Sequence, residues 1–267
     1  MQRGSGILEP IVILAVVLFV MISLPKTSSE QRNFFSPGSS SITQMNVSSP
    51  ISLDSGNAPY TYQPYEEYVS LSNWSNKTVD VTGWQLRNVK GHTATLPSLV
   101  LGPNERAVIT TGRASVQSPY QIPNIFKENI CTGYLEALPD YAFTPALQYS
   151  CPSPSKEPGI ESLDRECRDF VNRINTCETP VFDAKDQDKE NCTTCVKGTR
   201  LSSACALYVR EHFSYRSCLS YHSGDKDFNS GRTWRVFLGR GWEMWSDKYE
   251  AMELYDNFGN LVRQIKY

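Results

Sequence analysis

Hydrophobic and polar positions alternate in two separated blocks of the chain. From Tyr65, the residues Glu67, Val69 and Leu71 alternate with Tyr68, Ser70 and Ser72, the period of a half-buried strand. After a turn at residues 73–78, Val79 and Val81 fall on one face, Gly83 interrupts, and Trp84 and Leu86 resume the apolar face. A short run at 93–97 precedes residues 99–112, where Gly102-Pro103-Asn104 is a turn signal and Arg106 to Thr111 reads as a strand. The end of the chain repeats this grammar. Trp234, Val236 and Leu238 alternate with Arg235 and Phe237, and residues 250–256 pair with 261–267 across a turn at 257–260 that contains Gly259. Short strands punctuated by turns predict a mainly β fold of the sandwich type.

Between the two blocks the period changes. Leu163, Cys167, Phe170, Val171 and Ile174 recur at helical spacing over residues 160–177, and Leu201, Cys205, Tyr208 and Val209 do so over 199–213. Two amphipathic helices joined by a charged loop at 182–198 are expected, with Cys167 and Cys205 each on an apolar face. At the start of the chain, Ile11 to Leu24 is a 14-residue stretch without a charge, preceded by Arg3 and followed by Pro25 and Lys26. It is shorter than the roughly 20 residues of an ordinary spanning helix and matches a signal-peptide core in length. No small-residue cleavage site follows it. Residues 1–26 are therefore read as an N-terminal hydrophobic helix that anchors the chain in a membrane, or as a secretion signal if it is cut. Residues 27–63 are rich in Ser, Pro, Gly and Asn and read as a flexible linker.

Composition sharpens the compartment. All eight cysteines of the 267-residue chain, Cys131, Cys151, Cys167, Cys177, Cys192, Cys195, Cys205 and Cys218, fall in one stretch. An even number of clustered cysteines behind an export signal predicts disulfides formed in an oxidising space, with pairing that sequence does not settle. A helical subdomain of this size has little core of its own, and bridges are the expected remedy. The net charge of −2 and a pI of about 6.0 argue against a nucleic-acid partner.

The first β block carries a resemblance. Glu67, Tyr68, Val69, Leu71 and Asn73, then Val79, Asp80, Gly83, Trp84 and Leu86, stand where the lamin-tail domain family has its E-Y-V-E-L-x-N and V-D-L-x-G-W-x-L strands. The closing residues 252–267 are similar to the family's last hairpin. The resemblance covers about residues 65–115 and 243–267 and implies an immunoglobulin-like β-sandwich over 64–267. A cysteine-rich insert at 130–230, which a lamin tail lacks, interrupts it. The whole arrangement resembles membrane-anchored bacterial proteins with exported lamin-tail-like domains. Because that family is associated with chromatin and with nucleases, the resemblance also implies a rival reading, a nucleic-acid-binding module at the cell surface.

Candidate chemistry is sparse. Cys192 and Cys195 form a CxxC, the spacing of half a zinc site or of a redox pair, yet there is no second CxxC, no His pair at ligand spacing and no βαβ context. Asp183, Asp186, Asp188 and Glu190 do not follow a calcium-loop order, and with Asp225 and Asp227 they read as solvated charges. His92, His212 and His222 are the three histidines, and His212 near a helix end reads as structural. No nucleophile elbow or phosphate-binding glycine run occurs. Neither a catalytic site nor a cofactor nor a metal is expected. Trp242 and Trp245 beside Arg240 form the candidate interaction patch. Asn46, Asn73, Asn76 and Asn191 fit the glycosylation sequon. The expectation is a non-enzymatic, membrane-tethered extracytoplasmic domain that binds a protein, a glycan or another envelope polymer.

Overall fold

The computed structural model describes residues 49–114, 122–137, 143–187, 190–245 and 250–267. The hydrophobic segment at 1–26 and most of the linker lie outside the described residues. No helix among those described is long and apolar enough to cross a membrane.

The described framework has fourteen strands. They are β1 (Ile51–Asp54), β2 (Tyr68–Asn73), β3 (Val79–Asp80), β4 (Gln85–Asn88), β5 (Thr93–Thr95), β6 (Val100–Leu101), β7 (Arg106–Thr110), β8 (Ile125–Lys127), β9 (Phe182–Lys185), β10 (Asn191–Val196), β11 (Thr199–Arg200), β12 (Thr233–Phe237), β13 (Ala251–Tyr255) and β14 (Leu261–Lys266). A five-stranded sheet runs β1-β2-β7-β12-β8, with β12 parallel to β7 and the other neighbours antiparallel. A four-stranded antiparallel sheet runs β14-β13-β4-β5, and β3 pairs with β6. Both larger sheets feed one core. Leu53, Leu71, Ile109 and Val236 come from the first, and Leu86, Met252, Leu254 and Val262 from the second.

Local chemistry explains the breaks. The run from Val79 to Asn88 divides into β3 and β4, which belong to different sheets, because Gly83 turns at φ 76°, where a side chain would be strained. The closing hairpin turns at Gly259, with Asp256 Oδ1 accepting from the N–H groups of Phe258 and Asn260.

Three expectations are corrected here. Residues 51–54 form β1 and do not continue the linker: Ile51 and Leu53 alternate into the core, and the strand covers the outer edge of β2. The framework therefore begins near residue 51, before the expected boundary at 64. The charged loop at 182–198 is a three-stranded sheet, β11-β10-β9, whose polar side chains face out while Cys195 and Val196 are buried. The alternation of β12 does not mark a half-buried strand. Val236 enters the main core, and on the other face Arg235 and Phe237 are buried as well. Phe237 packs there with Phe126, Leu135, Phe143 and Leu147.

The insert leaves after β8 and returns before β12, and its neck is closed by the N–H of Ile130 donating to the carbonyl of Phe228 at 3.1 Å. It contains α1 (Gly133–Glu136), α2 (Arg165–Val171), α3 (Ser203–His212) and α4 (Tyr215–His222). Helix α2 is shorter than the apolar spacing predicts. Asp164 caps it by accepting from Cys167 N at 2.8 Å, which fixes its start and leaves Leu163 extended. Ser202 caps α3 in the same way, and Ser214 caps α4, which the apolar pattern did not reveal.

All eight cysteines pair: Cys131–Cys218, Cys151–Cys177, Cys167–Cys205 and Cys192–Cys195. The Cys167–Cys205 bridge joins α2 to α3 inside the insert's own apolar cluster with Val171, Val209 and Phe213. Cys131–Cys218 locks the neck beside the fully buried Tyr134. The CxxC closes on itself within β10. This even, fully paired set belongs to an oxidising, extracytoplasmic environment.

Candidate functional site

Buried polar residues position the surface features. Glu67, at the entrance to β2, is fully buried, and its two carboxylate oxygens accept from Met244 N at 2.8 Å and Trp245 N at 3.0 Å. Asn88, at the end of β4, donates to the carbonyl of Met244 at 2.5 Å and accepts from His92 N at 2.9 Å. Arg240 donates to the carbonyl of Thr93. Three clamps from β2, β4 and β5 thus hold the 240–245 segment across the β4–β5 hairpin.

Held this way, the segment separates the residues of the predicted patch. Trp242 is 60% exposed, and the Arg240 guanidinium lies 5.9 Å from its ring centroid. Trp245 is only 3% exposed and joins the main core. It is therefore no part of an exposed patch: pulled in by the Glu67 clamp, its ring finds more apolar contact inside. Between Thr61-Tyr62, the loop after β4 and this segment lies a cleft of about 200 Å3, lined by Thr61, Tyr62, Asn88, Lys90, His92, Glu243, Met244 and Trp245.

Burial pushes the Glu67 carboxyl above its ordinary value, outweighing the backbone hydrogen bonds from Met244 and Trp245. The folded chain therefore binds this proton more readily than the unfolded one. Glu67's contribution to stability grows as pH falls through its raised folded value towards the ordinary carboxylate range. Glu67→Gln keeps one acceptor and turns an amide N–H group towards the other backbone donor, an expected cost of about 1–3 kcal/mol. Denaturant midpoints at pH 7 and pH 5 test this: the stability gap between wild type and variant should widen at the lower pH.

A second polar group lies inside the insert. Glu157 Oε2 lies 3.3 Å from His212 Nδ1 and its Oε1 lies 3.3 Å from His222 Nε2, while His222 Nδ1 is 2.7 Å from Asp225 Oδ2. Both ring nitrogens of His222 thus face carboxylate oxygens. His212 is stacked between the rings of Tyr208 and Tyr221, at centroid distances of 4.0 and 4.2 Å. Burial, and then the charge of Glu157, push the Tyr208 phenol up to about 12, so it stays neutral and donates to the Pro158 carbonyl at 3.1 Å. Glu157, His212 and His222 are all buried. The cluster braces α3 and α4 against the turn at Glu157, a structural use of both histidines.

The other sequence candidates separate. Asp183 accepts from Gly198 N at 2.9 Å, and Asp186 accepts from Glu190 N and pairs with Arg200 at 2.5 Å, so these carboxylates shape the β9–β11 turns. Asp188 lies outside the described residues. Among the described residues no group of His, Cys, Asp and Glu side chains is arranged to hold a metal ion. Of the sequons, Asn46 lies outside the described residues, while Asn76 and Asn191 are exposed. Asn73 is buried at the end of β2 and donates to the carbonyls of Lys77, Leu101 and Gly102. Its amide is fully used in the fold, leaving no room for a glycan.

Sequence reasoning missed these buried polar residues and the cleft. Hydrophobic pattern carries no signal for them. For Glu67 and Asn73 the one available signal was their place in the strand motif. The chain matches no protein-family model and no curated protein.

Proposed function

We propose that the chain is a membrane-tethered, extracytoplasmic interaction protein. Residues 1–26 anchor it, the segment after them spaces it from the membrane, and an immunoglobulin-like, lamin-tail-like β-sandwich carries the disulfide-locked insert. Its role is non-enzymatic: it binds a protein or an envelope polymer at the cell surface or on the periplasmic side. The observation that carries this reading is the confinement of four disulfides to a segment that leaves and re-enters one sheet edge, between β8 and β12. Such bridges remove conformational freedom from an otherwise thin subdomain and so pre-organise a surface, which lowers the entropic cost of binding. Two sheets sharing one core support the sandwich reading.

The full-length chain in lipid nanodiscs should bind isolated cell envelope saturably. Reduction of its disulfides should weaken that binding. An absence of envelope binding, with hydrolytic turnover of an envelope component in its place, would remove the reading.

A further inference from the structure

We infer that the cleft between Thr61-Tyr62, the β4–β5 hairpin and the 240–245 segment is a binding site for a carboxylated sugar, such as a uronic acid unit of a surface polysaccharide. The inference deepens the interaction reading and rests on it for the cleft's exposure outside the cell.

Three features point to this ligand class. The walls are polar on both sides, with Glu243 as an acceptor, Lys90 as a cation and His92 as a ring N–H donor. Lys90 and His92 are exposed, and no ion pair of either is found among the described residues. A ligand carboxylate would gain charge-assisted hydrogen bonds there without displacing a partner. Tyr62, 71% exposed, lines the cleft. Sugar rings have apolar C–H faces and polar edges, and an aromatic wall beside polar groups matches both. The size, about 200 Å3, suits a single ring and not an extended chain.

The site is also rigid, because the Glu67, Asn88 and Arg240 clamps fix the wall that bears Glu243. An acidic peptide offers the same carboxylate but lacks the flat ring that Tyr62 would stack on.

Calorimetric titration of the full-length chain in nanodiscs tests the inference with three probes: a disaccharide ending in glucuronic acid, its neutral glucose counterpart, and an acidic dipeptide. The acidic disaccharide should bind saturably, and the neutral one about tenfold more weakly or less. Lys90→Glu and Tyr62→Ala, both at exposed positions, should each weaken the acidic disaccharide by about tenfold. The inference is overturned by no binding of the acidic disaccharide, by affinity that both variants leave unchanged, or by equal binding of the dipeptide. Envelope binding measured on the same samples separates the two readings. Envelope binding without disaccharide binding removes the sugar site and keeps the interaction reading. Disaccharide binding without envelope binding does the reverse.

Discussion

Replacement of Arg235 by methionine should destabilise the protein by about 3–5 kcal/mol, the cost of breaking a buried ion pair from one side. Arg235 is only 3% exposed on a central strand. Its Nε donates to Glu128 Oε1 at 2.6 Å, and its two terminal nitrogens donate to the carbonyls of Pro145 and Ala146 at 2.7 Å each. The remaining Glu128 oxygen accepts from Gln148 N. One guanidinium thus joins β12 to the end of β8 and to the 145–148 strap of the insert. Methionine fills the apolar stem but leaves a buried carboxylate and two carbonyls unpaired. Glu128→Gln with Arg235→Met should recover part of the loss, because the stranded charge is then gone. Chemical denaturation of the three variants reads both effects. A loss below about 1 kcal/mol for Arg235→Met would mean that water reaches the pair and that the insert is not docked on β12 as described.

The second large effect separates the disulfides. Loss of a bridge frees the unfolded chain in proportion to the logarithm of the loop it closed. Cys131–Cys218 spans 87 residues and Cys192–Cys195 spans three. Removing the first as a double alanine variant is expected to cost about 4–5 kcal/mol, against about 2 kcal/mol for the second. Packing acts in the same direction, since Cys131 and Cys218 are buried with Tyr134 at the neck of the insert. Thermal or denaturant unfolding of the two double variants gives the order. Equal losses would show that the neck bridge does not bear on the docking of the insert.

How much of this was legible depended on what each residue does. Val69, Leu71, Leu86 and Leu254 advertise their strands because each buries an apolar side chain at period two. Gly83 announced its break because only a residue without a side chain tolerates the turn it makes. The clustering of the cysteines located the insert, while their partners emerged only in three dimensions. Cys167 and Cys205 shared apolar faces in sequence and do meet. The CxxC sits where composition suggested a loop, and backbone hydrogen bonding makes it a strand.

The polar interior was hidden for a different reason. Arg235, Glu128, Glu157 and Asn88 are ordinary surface types, and only their partners make burial tolerable. Those partners lie 55 to 156 residues away, beyond any local pattern. Trp245 misled for the same reason, since its fate is set by Glu67, 178 residues earlier. The candidate cleft is built from three such distant segments, so no spacing rule could assemble it.

The central claim is an exported fold whose insert is held by four local bridges. Peptide mapping by mass spectrometry of the unreduced protein, isolated from producing cells with free thiols blocked at lysis, tests it most directly. The account predicts the linked pairs 131–218, 151–177, 167–205 and 192–195, with no blocked thiol. Blocked, unpaired cysteines at these positions would contradict it.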